Sequence, residues 1–443
     1  MVRKIILATR KAVIPSVSLA NSKKQIADMV FDLVAKEIKK FPEIIGLEFG
    51  GSYAKGTWLP KEADIDIFVR FRESTTQETF EKISKEIGFS SMKKFNPYIR
   101  YSEHPYVEAV VKRTKVNVVP CYDVKIGKWK SAADRSPFHT KHMQDKLNKK
   151  MKDEVRLLKT FLKSVGIYGA EIARQGFSGY VSEVLILNYG TFENTIKEIS
   201  KIKQNQVIGK TTKTFDTQIV IIDPIDTNRN LAAAISNQNI GRFVLACRAF
   251  LAEPNTQFFK TSKRKKSNDW KDILVVKFNF KPRSPDIIWG QIKRAATLLS
   301  TQMGIGGFNV LRNLSYTDEK NEAYLLFLLE SSIISKKYVK KGPEYFREQD
   351  SMSFIRKNIE NTKLMWVDND SRINSLEERK HNDVRKFIQE FLKSNLQTGI
   401  PNGLQDDLKR GFTVSIGGEN LRKSIKEAVS ELVSTDENIF YSN

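Results

Sequence analysis

Residues 50–71, GGSYAKGTWLPKEADIDIFVRF, limit what this chain can fold into more than any other stretch, because they join a glycine turn to a strand with acids at alternate positions. In Asp64-Ile65-Asp66-Ile67-Phe68-Val69 the apolar Ile65, Ile67 and Val69 recur with period two, which puts Asp64 and Asp66 together on the opposite face. Just before the turn, residues 44–49 (IIGLEF) read as a strand. Gly50-Gly51-Ser52 turns out of it, leaving backbone N–H groups room to approach an anion, with the Ser52 hydroxyl as a further donor. A glycine pair after a strand is by itself more often structural. Followed by paired acids, it points to phosphate chemistry. Transfer of a nucleotidyl group requires a triphosphate to be neutralised while a hydroxyl is activated, and magnesium ions on carboxylate oxygens do both. The plainer reading, an edge strand with its acids in solvent, leaves the turn unexplained.

Charge narrows the partner. Lys and Arg number 74 against 51 Asp and Glu, a formal net charge of +23 that is spread along the chain. That imbalance favours a polyanion docked across several domains, nucleic acid before a membrane surface. A chain of 443 residues exceeds what one core supports, so two to four domains are expected. Cys121 and Cys247 lie far apart and the four histidines are scattered, which excludes a disulfide framework and a zinc site of local spacing and fits a reducing, cytoplasmic location. The first 16 residues carry only a short apolar run, and no stretch reaches about 18 apolar residues, so no membrane segment is expected.

Along the chain, residues 23–40 place apolar side chains at helical spacing up to Pro42. Residues 106–111 and 115–119 read as a hairpin around Lys112-Arg113-Thr114. Residues 134–139 (DRSPFH) show neither period and read as a loop held by Pro137. A helix over 153–165 ends at Gly166, and 176–180 form a loop entering a buried helix. Residues 223–230 read as a turn before an apolar helix at 231–234, and 239–252 as a helix ending before Pro254. The basic run 260–268 (KTSKRKKSN) reads as a linker that can touch phosphates without reading sequence. Beyond it come a strand at 273–280, a helix at 287–299, an apolar run at 323–331 and a helix at 383–396, with no internal repeats.

GGSYAKGTW followed by DIDIFV resembles the signature of the nucleotidyltransferase superfamily. Residues 102–122 (SEHPYVEAVVKRTKVNVVPCY), 132–142 (AADRSPFHTKH), 153–183 and 222–234 (IDPIDTNRNLAAA) resemble, in order and spacing, the archaeal, class I CCA-adding tRNA nucleotidyltransferases. The likeness covers most of residues 20–260 and is weaker in KPRSPDIIWGQIKRAA, EAYLLFLLES and KGPEYF. It implies an α+β multi-domain protein: a nucleotidyltransferase-fold mixed-sheet head over 1–145, a helical nucleotide-selecting neck over 146–257, and an α+β body and tail over 258–443 that dock tRNA. It also implies template-independent addition of C, C and A to the tRNA 3′ end from CTP and ATP. There the 3′-hydroxyl attacks the α-phosphate in a Mg2+-dependent step that releases pyrophosphate. The same resemblance makes Asp64 and Asp66 metal ligands, gives Ser52, Lys55, Ser136 and His139 to the triphosphate, and gives Lys159 (rather than Lys163) and Tyr168 to the same nucleotide. Arg229, with RNA backbone, becomes the template that selects CTP or ATP, a task suited to a planar fork of donors. The plainer roles are a structural His139, lysines on a solvated helix face, a core Tyr168 and an Arg229 capping local carbonyls.

One position departs from the family. Its third carboxylate precedes VVPCY, where this chain has Asn117. An amide oxygen can ligate a metal but cannot take the proton of an attacking hydroxyl, so weakened catalysis is expected. Glu108, across the hairpin, is a substitute acid whose plainer role is a surface cross-strand charge facing Lys or Arg. Asp123, beyond Pro120, would need a bend and reads more readily as an exposed loop acid. Two other functions fit part of the pattern: a tRNA-binding homologue without catalysis, favoured by Asn117, and another RNA-tailing enzyme that shares the turn and acids but not the neck blocks. A homodimer is compatible with the chain and specified by no residue pattern.

Overall fold

A computed structural model describes residues 1–60, 62–101, 104–260, 270–417, 423–435 and 437–440. Contacts divide the chain into two units, Met1–Lys263 with Asp436–Asn443, and Arg264–Thr435. All but the first residue of the basic run 260–268 lies outside the described residues.

The first unit opens with helices α1 (Val2–Val13) and α2 (Val17–Ile38). Ser16 caps α2 by accepting from the Leu19 N–H, and Ile26, Ala27, Val30 and Val34 form its buried stripe. A five-stranded sheet follows, built from β1 (Ile44–Gly50), β2 (Ile65–Arg72), β3 (Tyr98–Tyr101), β4 (Pro105–Val111) and β5 (Thr114–Asp123) in the order β1-β2-β5-β4-β3. Only β2 and β5 run parallel; their connection holds helix α4 (Gln77–Met92), after the five-residue helix α3 (Gly51–Lys55) that leaves β1. Ile65, Ile67, Val69 and Phe71 of β2, Val116 and Val118 of β5, and Ala109 and Val111 of β4 share one core with α2 and α4. This is the period-two pattern expected of β2. Lys112 (φ 47°) and Arg113 (φ 65°) form the two-residue turn of the β4–β5 hairpin, both in the left-handed region that such turns require.

Residues 134–139, expected to be a loop, begin helix α5 (Arg135–Lys146). Pro137 lies in its first turn, where a missing N–H costs nothing, and only Thr140 and Met143 are buried, so an apolar period never appears. The start is fixed from outside the helix: buried Asp134 accepts from the N–H groups of Tyr122, Lys130 and Ser131.

A second core of the same unit gathers α6 (Lys149–Ser164), α7 (Gly179–Tyr189), α8 (Phe192–Ser200) and α9 (Asn237–Ala252) around Phe161, Leu162, Leu185, Phe192, Phe243 and Phe250. Ile6 and Val13 place α1 in this core and not against the sheet. A small sheet of β6 (Gln206–Ile208), β7 (Ile219–Asp223) and β8 (Asp226–Asn230) accompanies the helices. The expected turn over 223–230 is therefore a strand pair, and residues 231–234 form a 3-10 turn. Asn230 Oδ1 accepts from both Ile221 N–H and Ala232 N–H, so a side chain supplies the bonds that a longer ladder or helix would have made.

In the second unit a four-stranded antiparallel sheet, ordered Val310–Thr317, Glu322–Leu329, Ile273–Asn279 and Phe412–Ile416, is covered on one face by helix Pro285–Ile305 and helices Val384–Ser394 and Asn402–Arg410. Ile425, Val429 and Leu432 cover the other face. Burial on both faces explains the unbroken run AYLLFLL. Strands Lys337–Glu344, Arg372–Glu378 and Leu364–Val367 make a separate sheet. Among the described residues no helix is long and apolar enough to cross a membrane.

Candidate active site

Strand register aligns one row of residues across the whole first sheet: Gly50 faces Asp66, Asp66 faces Asn117, Asn117 faces Glu108 and Glu108 faces Tyr98. Facing residues share a side, here the side away from the α2 and α4 core. Asn117 Nδ2 donates to Asp66 Oδ1 at 2.8 Å, while Asn117 Oδ1 is buried with no hydrogen-bond partner among the described residues. Gly51 (φ +61°) passes so close that a Cβ there would stand 1.8 Å from Asp66 Oδ2, and a Cβ on Gly50 would stand 2.1 Å from the Phe68 ring. The glycine pair thus lets the backbone at the start of α3 pass directly over the acid. Burial raises the carboxyl of Asp66, opposed by the Asn117 amide and Lys55. Burial also raises Asp64, which immediately precedes β2; Lys115 opposes that shift and the charges of Asp66 and Glu108 add to it.

The two substitute acids differ. Glu108 has the cross-strand partners expected of it, accepting from the Tyr98 hydroxyl and lying 3.8 Å from Arg100 Nε, but it is buried and not a surface charge. Asp123 is exposed and pairs with Arg70 at 3.1 Å. It ends a strand and does not sit on a loop, because Pro120 fits within β5 opposite Val69 at a point where β5 has run past β4.

A cleft of about 400 Å³ beside this row brings together Lys55, Asp66, Asn117, Ser136 and His139, with Tyr180 in its wall. Ser52, Asp64, Lys159, Tyr168 and Arg229 are not part of that wall. Lys159 is buried behind it. Its ammonium donates to Thr57 O and Thr57 Oγ1, both at 3.1 Å, and lies 3.5 Å from Glu183 Oε1. Lys55 meets Glu183 Oε2 at 2.6 Å and the Thr57 hydroxyl donates to Oε1 at 2.5 Å. Burial pulls Lys159 down to about 8 against the opposing Glu183 charge. Burial would raise Glu183, but Lys55 and Lys159 hold it below its ordinary range. Lys163 instead pairs with Glu62 and sits 5.3 Å from the centre of the Tyr168 ring. A Cβ on Gly179 would stand 3.0 Å from the Tyr168 hydroxyl oxygen and 3.4 Å from Lys159 Nζ, so this glycine lets α7 begin against both.

Asp223, at the end of β7, joins three more residues. Its Oδ2 lies 3.0 Å from His139 Nε2 and 3.0 Å from Arg229 Nη1, and its Oδ1 accepts from the Tyr180 hydroxyl at 2.9 Å. Arg229 therefore binds a carboxylate and not local carbonyls. Burial would raise Asp223, yet His139 first, then the Ile225 N–H and the Tyr180 hydroxyl, bring it down to about 2. Burial lowers His139, with Asp223 opposing. Neither Glu183 nor Asp223 was singled out by sequence reasoning. A lone acid in the apolar run VSEVLIL was the available signal for Glu183; for Asp223 it was the acid closing the apolar strand IVIID.

Among the described residues no three His, Cys, Asp or Glu side chains gather as a metal-binding group. The donor set is two carboxylates and one amide oxygen, all hard oxygen ligands of the kind magnesium takes. The unpartnered Asn117 Oδ1 and the space kept over Asp66 by Gly51 fit such an ion.

Residues 32–139 match the family model for a nucleotidyltransferase domain, 153–260 that for the second domain of tRNA nucleotidyltransferase, and 271–417 that for the C-terminal domain of CCA-adding enzyme. The chain is 36% identical over 381 residues to a CCA-adding enzyme of Saccharolobus islandicus (strain M.14.25 / Kamchatka #1), covering 85% of this chain and 90% of that one. The same identity and coverage hold for the CCA-adding enzyme of Saccharolobus solfataricus. With that of Sulfurisphaera tokodaii the identity is 38% over 354 residues, covering 79% and 83%.

Proposed function

This chain belongs to the family of CCA-adding enzymes, and we infer that it adds C, C and A to the 3′ end of tRNA from CTP and ATP without a nucleic-acid template. In the reaction the 3′-hydroxyl oxygen bonds to the α-phosphorus as the bond to the bridging oxygen of the β-phosphate breaks, releasing pyrophosphate. Enzymes of the nucleotidyltransferase family generally use divalent metals. Mg2+ on Asp64, Asp66 and Asn117 would supply the charge that neutralises the triphosphate and the attacking oxygen. The chain's own groups position the substrates. Lys55, Ser52, Ser136 and His139 take the triphosphate, Arg229 reads the base edge, and Lys159 and Tyr168 back the nucleotide site, Lys159 through Thr57 and Glu183. In this division residues 1–145 act as the catalytic head, 146–257 as the nucleotide-selecting neck and 258–443 as the part that docks the tRNA acceptor arm, except that α1 and Phe258 pack with the neck helices and residues 436–443 belong to the first unit.

The observation that carries this reading is the Asp66–Asn117 pair, with its unpartnered oxygen, beside a cleft that also holds Lys55, Ser136 and His139. Asn117 cannot accept the proton of the 3′-hydroxyl, so that proton leaves to water or hydroxide and turnover is slow. The test is incorporation of labelled CTP and ATP into tRNA lacking its 3′ CCA, with magnesium present. Ordered gain of C, C and A is expected. Tight tRNA binding with no nucleotide gained would instead make the chain a tRNA binder without catalysis.

A further inference from the structure

We propose that Asp223 is a positioning residue that sets both Arg229 and His139, coupling the choice of base to the grip on the triphosphate through one carboxylate. The proposal rests on the CCA-adding reading. It begins from saturation: a carboxylate offers about four acceptor sites, and Asp223 uses all four. Oδ2 takes His139 Nε2–H and Arg229 Nη1–H, each at 3.0 Å, while Oδ1 takes the Tyr180 hydroxyl at 2.9 Å and the Ile225 N–H at 3.1 Å. The three side-chain donors come from α5, α7 and β8. The Asp223 side chain is 0% exposed, so water does not compete for it.

Each contact leaves its partner a working face. Against an ionised carboxylate His139 carries its hydrogen on Nε2, and the ring is stacked on Tyr180 with centroids 3.8 Å apart, while His139 also lines the cleft beside Asp66. Arg229 has five N–H donors in a rigid fork and is 37% exposed. Asp223 anchors one corner and leaves the others for a base edge. A guanidinium and an imidazole fixed by one acceptor cannot move independently. A base that pulls Arg229 out of line also disturbs the acceptor of His139, so a mismatched nucleotide loses on the phosphate side as well. An amide at 223 would be the same shape but would turn an NH2 group toward donors.

The test compares wild type with Asp223→Asn, Asp223→Glu and Arg229→Ala. Single-turnover addition of CTP, ATP, UTP and GTP is measured on tRNA lacking its 3′ CCA, alongside nitrogen-15 spectra of the His139 ring in nucleotide-free protein. For Asp223→Asn, kcat/KM with CTP and ATP should fall about 10- to 100-fold, the range for losing charge-assisted hydrogen bonds. Preference over UTP and GTP should narrow, and the His139 Nε2–H signature should give way to mixed tautomers. Asp223→Glu keeps the charge and the fold but moves the oxygens, so discrimination should again narrow. Full discrimination in either folded variant, or an equal fall for all four nucleotides with an unchanged His139 spectrum, overturns the proposal. A wild type that adds no nucleotide sinks the CCA-adding reading instead. The His139 spectrum and the CTP-over-UTP binding preference of the same variants then decide the coupling on their own, an unchanged pair overturning it.

Discussion

The row at Asp66 and the networks at Glu183 and Asp223 are both built from buried carboxylates, yet they are finished to different degrees. Glu183 meets Lys55, Lys159 and Thr57, and Asp223 is saturated by four donors. In the row, Asn117 leaves a buried oxygen without a partner among the described residues, and burial raises both Asp66 and its neighbour Asp64. A satisfied network rigidifies what surrounds it, and an unsatisfied one is held ready for something that arrives later. The difference separates a saturated positioning framework from the proposed reaction centre within one unit, although both use the same residue types.

Four changes would break or sharpen that contrast. The largest effect is expected at the unfinished site, where Asp66→Asn should cut nucleotide addition by roughly 10³-fold or more with tRNA affinity nearly unchanged, as loss of charge stabilisation worth several kcal/mol implies. Retained turnover would remove Asp66 from the reaction centre. In the finished network, Glu183→Ala strands two buried ammonium groups and should cost about 3–5 kcal/mol of stability, read by denaturant unfolding. A loss below ~1 kcal/mol would mean that the network is not structural.

Asn117→Asp tests the contrast from the other side. It should raise addition on the order of 10²-fold, the lower end for a positioned proton acceptor, while the metal-free protein loses about 1–3 kcal/mol because the donor to Asp66 becomes a like charge. No gain in rate would show that residue 117 does not limit catalysis. The smallest effect concerns acid. Asp223 at about 2 lies below its ordinary 3.8, so the folded state stays ionised where the unfolded state has begun to bind a proton. Its contribution, about 2 kcal/mol, is present above pH ~4 and lost as pH falls toward 2. Asp223→Asn should remove that acid limb from the stability profile, and an unchanged limb would assign it to other carboxylates.

How much of this was legible depended on distance along the chain. Period two placed Asp64 and Asp66 opposite Ile65, Ile67 and Val69, and the hairpin set Glu108 beside Asn117, because each pattern is local. Helix α5 was missed because its first turn is polar and its start is fixed by Asp134 holding backbone from Tyr122, Lys130 and Ser131. Arg229 was expected to act, but its partner Asp223 was not foreseen. Lys159 was expected at phosphate, yet its contacts are Thr57, 102 residues away, and Glu183. No local period encodes such pairings.

The parallel pairing of β2 with β5 also has a consequence in time. Asp66 and Asn117 are 51 residues apart, Lys55 and Glu183 128, and His139 and Asp223 84. Closing such loops costs entropy before any contact repays it, so these pairs form after the helices and the β4–β5 hairpin. A refolding chain should therefore recover helical signal well before nucleotide addition.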